Sequence, residues 1–257
     1  MVTTYEGLRL EKRDGAAWIT LAKPPLNVLD IPLLKEICQA LEEVALDRGV
    51  KVVVLAGEGK AFSAGADIRD HLPEKYEEMV DLFHRMTQLL LEMPQPTLAL
   101  AQGHVLGGGC EVVLACDMVI AAEGSRFGQP EIKAGVFPPV AALLLARIVG
   151  RRKALELLIT GDVVDAQEAL RLGLVNRVVP LDKLAEAGAE MARKLTALSG
   201  PVVRITKRAH NRSLEEDLLQ TLTALEDIYR RELMATEDAK EGLRAFLEKR
   251  APAWRER

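Results

Sequence analysis

Gly107-Gly108-Gly109-Cys110-Glu111 is the segment of this chain best suited to chemistry. It follows a short apolar run, Thr97 to Gln102, and opens a helical pattern, Glu111 to Cys116. Glycines let a backbone approach a ligand closely. The first turn of a helix carries free N–H groups and the positive end of the helix dipole. Together these make a place for developing negative charge, an oxyanion included. A plain turn whose glycines let a helix pack on a strand would read the same way. Neither G-x-x-x-x-G-K-[ST] nor G-x-G-x-x-G occurs here, which sets aside the common phosphate loops.

Glu111 precedes Val112, Val113, Leu114 and Ala115, a nearly apolar run. A carboxylate buried beside it must be paired, or protonated through a raised pKa. Such glutamates do acid–base work near neutral pH. The plainer reading is a first-turn glutamate favoured by the helix dipole. Glu131, in Gly128-Gln129-Pro130-Glu131-Ile132, is a second acid in a turn. Two carboxyls in different environments can divide acid and base roles, although sequence separation does not by itself bring them together.

Ala61-Phe-Ser-Ala-Gly-Ala-Asp67 is the third feature. It lacks the first glycine of a G-x-S-x-G nucleophile elbow, so Ser63 is not read as a nucleophile. A turn of small residues that offers a backbone N–H fits better; the alternative is a simple strand-to-loop junction. His71, His84, His104 and His210 have no metal-ligand spacing, so no metal is expected. Arg204, Lys207, Arg208 and Arg212 share one helical face, either as a solvated basic stripe or as a patch facing an anion such as a phosphate.

The elements that must position these residues follow an α/β pattern. Leu8 to Leu21 alternates around Asp14-Gly15 and predicts a hairpin. Asp30 and Pro32 start a helix through Leu33, Leu34, Ile37 and Leu41. Lys51 to Ala56 is a β-branched run suited to a strand buried on both faces. Glu74 to Glu92 predicts a helix, Gly103 to Gly109 a glycine-rich turn, and Met118 to Ala122 another strand. Beyond about Leu181 strand-like runs stop, and Leu214, Leu218, Leu222 and Leu225 form one helical stripe.

Composition bounds the class. The 257 residues are 49% hydrophobic and 28% charged, enough apolar material for a sizeable core. The net charge of −4 and an aromatic content of 4% argue against nucleic acid as a partner. Cys38, Cys110 and Cys116 fit no disulfide framework and predict reduced thiols in a cytoplasmic protein. No apolar leader opens the sequence. The longest uncharged stretch, Met93 to Cys110, is broken by two prolines and four glycines, so no membrane span is expected.

With these blocks in order, the sequence resembles the enoyl-CoA hydratase/isomerase (crotonase) superfamily. The resemblance runs through Ala-Gly-Ala-Asp at 64–67, Gly-Gly-Gly-Cys-Glu at 107–111 and Phe-Gly-Gln-Pro-Glu at 127–131. It continues through Leu-Ile-Thr-Gly-Asp at 158–162 and Gly173-Leu-Val175. It ends on Thr-Glu-Asp-Ala-Lys-Glu-Gly at 236–242 and Ala-Phe-Leu-Glu-Lys-Arg at 245–250. It implies a crotonase-like ββα spiral core over 1–195 and a C-terminal helical trimerisation region over 196–257. It also implies an acyl-CoA thioester substrate, no further cofactor, and a homotrimer or dimer of trimers. Ala66 and Gly108 are then the amides of an oxyanion hole. Glu111 is the base on water, and Glu131 returns a proton to carbon. Ala64, Asp67, Ile68, Phe246 and Lys249 contact substrate or CoA.

One departure narrows the resemblance. The glycine-rich loop typical of the family after the second glutamate is replaced by Gly135-Val-Phe-Pro-Pro-Val-Ala. With Leu26-Asn-Val-Leu-Asp30 upstream, this variant is similar to cyclohexa-1,5-diene-1-carbonyl-CoA hydratases of anaerobic aromatic degradation. The expected activity is reversible water addition to such a dienoyl-CoA. The alternatives are a short-chain enoyl-CoA hydratase, an enoyl-CoA isomerase, or an RNA-binding member of the superfamily.

Overall fold

The computed structural model describes residues 2–214 and 218–253, with the backbone alone for 212–214, 218, 221 and 225. β1 (Val2–Thr4), β2 (Leu8–Arg13) and β3 (Ala16–Leu21) form an antiparallel meander. Asp14 and Gly15, both at positive φ, make the two-residue turn that the sequence pattern predicts. α1 (Ile31–Leu46) is capped by Asp30, whose side chain accepts from the Leu33 amide at 3.1 Å, and leads to β4 (Val52–Gly57). α2 (Tyr76–Glu92) leads to β5 (Thr97–Ala101). β6 (His104–Leu106) and α3 (Gly108–Leu114) lead to β7 (Met118–Ala122). Next come β8 (Arg126–Gly128), α4 (Pro139–Val149), α5 (Arg151–Thr160), β9 (Val163–Asp165), α6 (Ala166–Arg171) and β10 (Arg177–Val179).

Seven strands form one sheet in the order β1-β2-β3-β4-β5-β7-β10, parallel from β3 onward. β6, β8 and β9 form a second, three-stranded sheet, and Ser63 bridges to Val105 at its edge. The chain thus repeats one unit: a long strand in the first sheet, a short one in the second, then a helix. This is the ββα spiral the resemblance implies. The period-2 geometry of the large sheet explains its apolar runs. Val53, Leu55, Ala99 and Ala121 enter the main core. Val52, Val54, Leu98 and Ile120 point to the other face, where Ala187 and Ala192 of α7 (Leu184–Thr196) cover them.

α8 (Gly200–Leu214), α9 (Leu218–Ile228) and α10 (Glu237–Leu247) complete the chain, and α9 runs on into a π-helical turn, Tyr229–Leu233. α9 packs on α2 and α4, and α10 packs on the turns at 68–71 and 130–134. Of the predicted leucine stripe, Leu222 is fully buried, while the side chains of Leu214, Leu218 and Leu225 lie outside the described residues.

Three expectations change. The glycine-rich stretch 103–109 contains a strand, β6, because its short run pairs with β8 instead of looping free. The helix after it begins at Gly108 rather than Glu111, since Gly107 at φ +52° turns the chain. The basic stripe is not uniformly solvated: the Lys207 side chain is only 8% exposed, and its ammonium binds Asp117 at 2.5 Å and the Gln95 carbonyl at 3.1 Å. The Arg212 side chain lies outside the described residues.

Candidate active site

The loop carrying Ala66 is tied down from the segment 26–30. Asn27, fully buried, donates through Nδ2 to the carbonyls of Glu58, Ala61 and Phe62 at 2.9–3.1 Å. Ser63 Oγ donates to the Asn27 carbonyl at 2.8 Å. Leu29 then bridges Ala66 in parallel: the Leu29 amide donates to the Gly65 carbonyl, and the Asp67 amide donates to the Leu29 carbonyl. Peptide groups alternate in direction along extended backbone, so the Ala66 N–H points away from Leu29.

It points toward the start of α3. A Cβ on Gly108 would sit 3.3 Å from the Ala66 nitrogen and 2.6 Å from Phe83 Cζ, so any larger residue must push the Phe83 ring and crowd the Ala66 amide. The Gly108 N–H opens α3 and has no intrahelical acceptor. Two amides from segments distant in sequence therefore lie close together.

Both glutamates reach the same place. Ala66, Gly108, Glu111 and Glu131 line one cavity of about 40 Å³, walled by Met79, Phe83, Phe137, Pro138 and Pro139. Glu131, in a 3-10 turn over Pro130–Ala134, sets its Oε1 2.6 Å from where a Gly107 Cβ would lie. Glu111 Oε1 accepts the Ala141 amide at 3.0 Å, at the open N-terminus of α4, where Pro138 offers no side-chain cap.

Electrostatics separates the two acids. Burial pushes the Glu111 carboxyl up to about 7 against the pull of the Ala141 and Val140 amides. Burial, followed by repulsion from Glu111, pushes Glu131 up to about 8. Glu131 Oε2 is buried without a hydrogen-bond partner among the described residues. Two close carboxyls resist double ionisation. Glu111, held by the Ala141 and Val140 amides, is the better placed of the two to carry the anion; Glu131 has only its own amide and an unpartnered Oε2.

The other predicted residues are more scattered. Ala64 and Ile68 are half-buried beside Ala66. The Asp67 carboxylate caps the 68–71 turn, accepting from the Arg69 amide at 2.9 Å and pairing with its guanidinium, which holds it below the usual carboxylate range. Phe246 and Lys249 are exposed at the end of α10, outside the cavity. Three polar cavity residues were not anticipated as site residues. His71 has its Nδ1 3.0 Å from the Asp67 carbonyl, and burial lowers its pKa below the usual imidazole range. Glu226 and Tyr229 descend from α9 and its π-helical turn, and Glu226 Oε1 binds His84 Nδ1 at 3.0 Å. No local signal marks them; only the placement of α9 over α4 brings them in.

Among the described residues no group of three or more His, Cys, Asp or Glu side chains could hold a metal ion. The three cysteines are free, and burial pushes their thiols up. No described helix is long and apolar enough to cross a membrane.

Comparison with known proteins adds an independent finding. Residues 11–257 match the family described as enoyl-CoA hydratase/isomerase. A probable enoyl-CoA hydratase of Rhizobium meliloti is 40% identical over 258 residues, covering 99% of this chain and 100% of that protein. A cyclohexa-1,5-dienecarbonyl-CoA hydratase of Thauera aromatica is 37% identical over 247 residues, covering 96% of this chain and 95% of that protein. The crystal structure of an enoyl-CoA hydratase from Mycobacterium avium subsp. paratuberculosis K-10 superposes with a TM-score of 0.89 at 31% identity, covering 98% of this chain and 99% of that one.

Proposed function

The chain belongs to the enoyl-CoA hydratase/isomerase family, and from that premise we propose that it adds water reversibly to a conjugated acyl-CoA, cyclohexa-1,5-diene-1-carbonyl-CoA being the favoured substrate. The observation that carries this reading is the convergence of Glu111, Glu131, Ala66 and Gly108 on one cavity. In it, the thioester oxygen accepts from the Ala66 and Gly108 amides. Donors aimed at a developing oxyanion are worth about 3–4 kcal/mol each at the transition state.

Glu111, as carboxylate, takes a proton from water. The oxygen bonds to the electron-poor carbon, and negative charge moves to the thioester oxygen. Glu131, as acid, returns a proton to a carbon of the resulting enolate, by 1,2- or 1,4-addition. The uneven environments of the two carboxyls support this division of roles. A family member needing only isomerisation has no use for a separate base on water, so the paired acids favour hydration.

The acyl preference rests on the wall. Phe137, Pro138 and Pro139 put flat, rigid, apolar surfaces where the family's glycine-rich loop would lie. Such a slot suits a planar conjugated ring, and the Thauera aromatica relative carries that substrate in its name. The second reading is a short straight-chain enoyl-CoA such as crotonyl-CoA, in line with relatives named crotonyl-CoA hydratase and short-chain-enoyl-CoA hydratase. In this proposal Ala64, Asp67, Ile68, Phe246 and Lys249 face the CoA portion, and the 196–257 helices assemble the chain as a homotrimer or a dimer of trimers. A panel of acyl-CoAs followed for water addition tests the substrate: preference for the cyclic diene supports it, and preference for crotonyl-CoA moves the assignment to the second reading.

A further inference from the structure

We propose that Tyr229 is a third hydrogen-bonding group of the reaction centre, its phenol holding the oxygen that passes between water and the acyl carbon. This rests on the hydration reading above. Tyr229 is 2% exposed, and its hydroxyl is buried with no hydrogen-bond partner among the described residues. A buried orphan hydroxyl is costly to keep, and it is retained here in the wall of the cavity that holds Glu111 and Glu131. The ring cannot swing away, because Phe137 packs edge-on against it, with centroids 5.4 Å apart and planes at 64°. Tyr229 also begins the π-helical turn that ends α9, and π-helical geometry recurs at functional sites.

The chemistry supplies the missing partner. Burial and the facing Glu111 and Glu131 push the phenol's ionisation up, so it stays neutral and can both donate and accept. The attacking water gives one proton to Glu111, its oxygen forms the new C–O bond, and Glu131 gives its proton to a carbon of the enolate. Tyr229 exchanges no proton. It accepts the second O–H of the water and so aims the reacting lone pair.

The test is Tyr229→Phe, which keeps the ring and removes only the hydroxyl, with hydration of cyclohexa-1,5-diene-1-carbonyl-CoA and crotonyl-CoA as the readout. The expected result is a roughly 10- to 100-fold loss in kcat, little change in KM, and a Tm equal to or above that of the wild type. Phe137→Leu, which frees the ring but keeps the phenol, is expected to lower kcat by a smaller factor. Unchanged kcat in Tyr229→Phe overturns the proposal. So does a raised KM with unchanged kcat, which would make Tyr229 a wall of the pocket only. If the wild-type protein hydrates neither thioester, the hydration reading itself fails, which is distinct from failure of the tyrosine's role.

Discussion

Glu111 Oε1 accepts the amide N–H of Ala141 at 3.0 Å, so a side chain of α3 closes the N-terminus of α4. This contact links the two features that set the chain apart, a glutamate in an apolar helix and a proline pair after the second acid. Pro138 supplies no cap and Pro139 no N–H, which leaves the first free amides of α4 to a carboxylate from elsewhere. The contact favours negative charge on Glu111 over Glu131.

That asymmetry has a signature in stability. The carboxyl of Glu131 binds its proton more tightly folded than unfolded. Its contribution to stability is therefore present below the unfolded pKa of about 4.5 and is lost as pH rises toward the folded value. Glu131→Gln, neutral at every pH, is expected to melt above the wild type by about 2 °C or more at pH 8, with the gap closing at pH 5. Thermal melts at both pH values check this; a gap that widens toward pH 5 contradicts it.

Activity should follow the same pair. Hydration needs Glu111 ionised and Glu131 protonated, so the rate falls at low pH as the first gains a proton and at high pH as the second loses its own. A bell-shaped kcat profile centred near neutral pH is expected, its two limbs belonging to the coupled pair. A profile flat from pH 5 to 9 would argue against this division of roles.

The two glycines that open α3 should differ in their response to alanine. A Cβ at Gly108 meets the Phe83 ring at 2.6 Å and the Ala66 nitrogen at 3.3 Å. Gly108→Ala should fold, because the end of a side chain can shift, yet lose about 100-fold in kcat through the displaced amide pair. A Cβ at Gly109 meets Ser63 Cβ at 2.6 Å and its carbonyl oxygen at 2.7 Å, and backbone cannot yield so easily. Gly109→Ala is expected to lower Tm far more than Gly108→Ala. Melting curves and kcat for both variants separate the two effects.

Much of this was legible from residue types. The apolar run of β4, the Asp14-Gly15 hairpin and the Asp30 cap follow from local rules, and Glu111 and Glu131 stood out as acids in unusual company. The three-residue strands β6, β8 and β9 did not, because runs so short carry no periodicity and exist only through pairing with one another. Glu226 and Tyr229 were hidden for another reason. They lie about a hundred residues from the glutamates and look like ordinary helix residues until α9 packs over α4. Lys207 likewise read as one of four surface cations, and only the buried approach to Asp117 gives it a different part.

That lysine provides a check on the fold separate from the catalysis. Asp117 also accepts the Thr97 amide and hydroxyl at 2.6 and 2.9 Å, tying the entries of β5 and β7 to α8. Lys207→Ala should cost about 1–3 kcal/mol of stability and leave kcat unchanged. It should also leave RNA binding weak and unaltered. Chemical denaturation and a salt titration of RNA affinity measure these; a steeply salt-dependent affinity lost with Lys207 would favour the nucleic-acid alternative.

The central claim, that two carboxyls share the addition of water, is tested most directly by the rate of acyl-CoA hydration at pH 7.5 in Glu111→Gln and Glu131→Gln. Each variant should retain its circular dichroism spectrum and lose about 100-fold or more in kcat. Wild-type rates in either variant would contradict the claim.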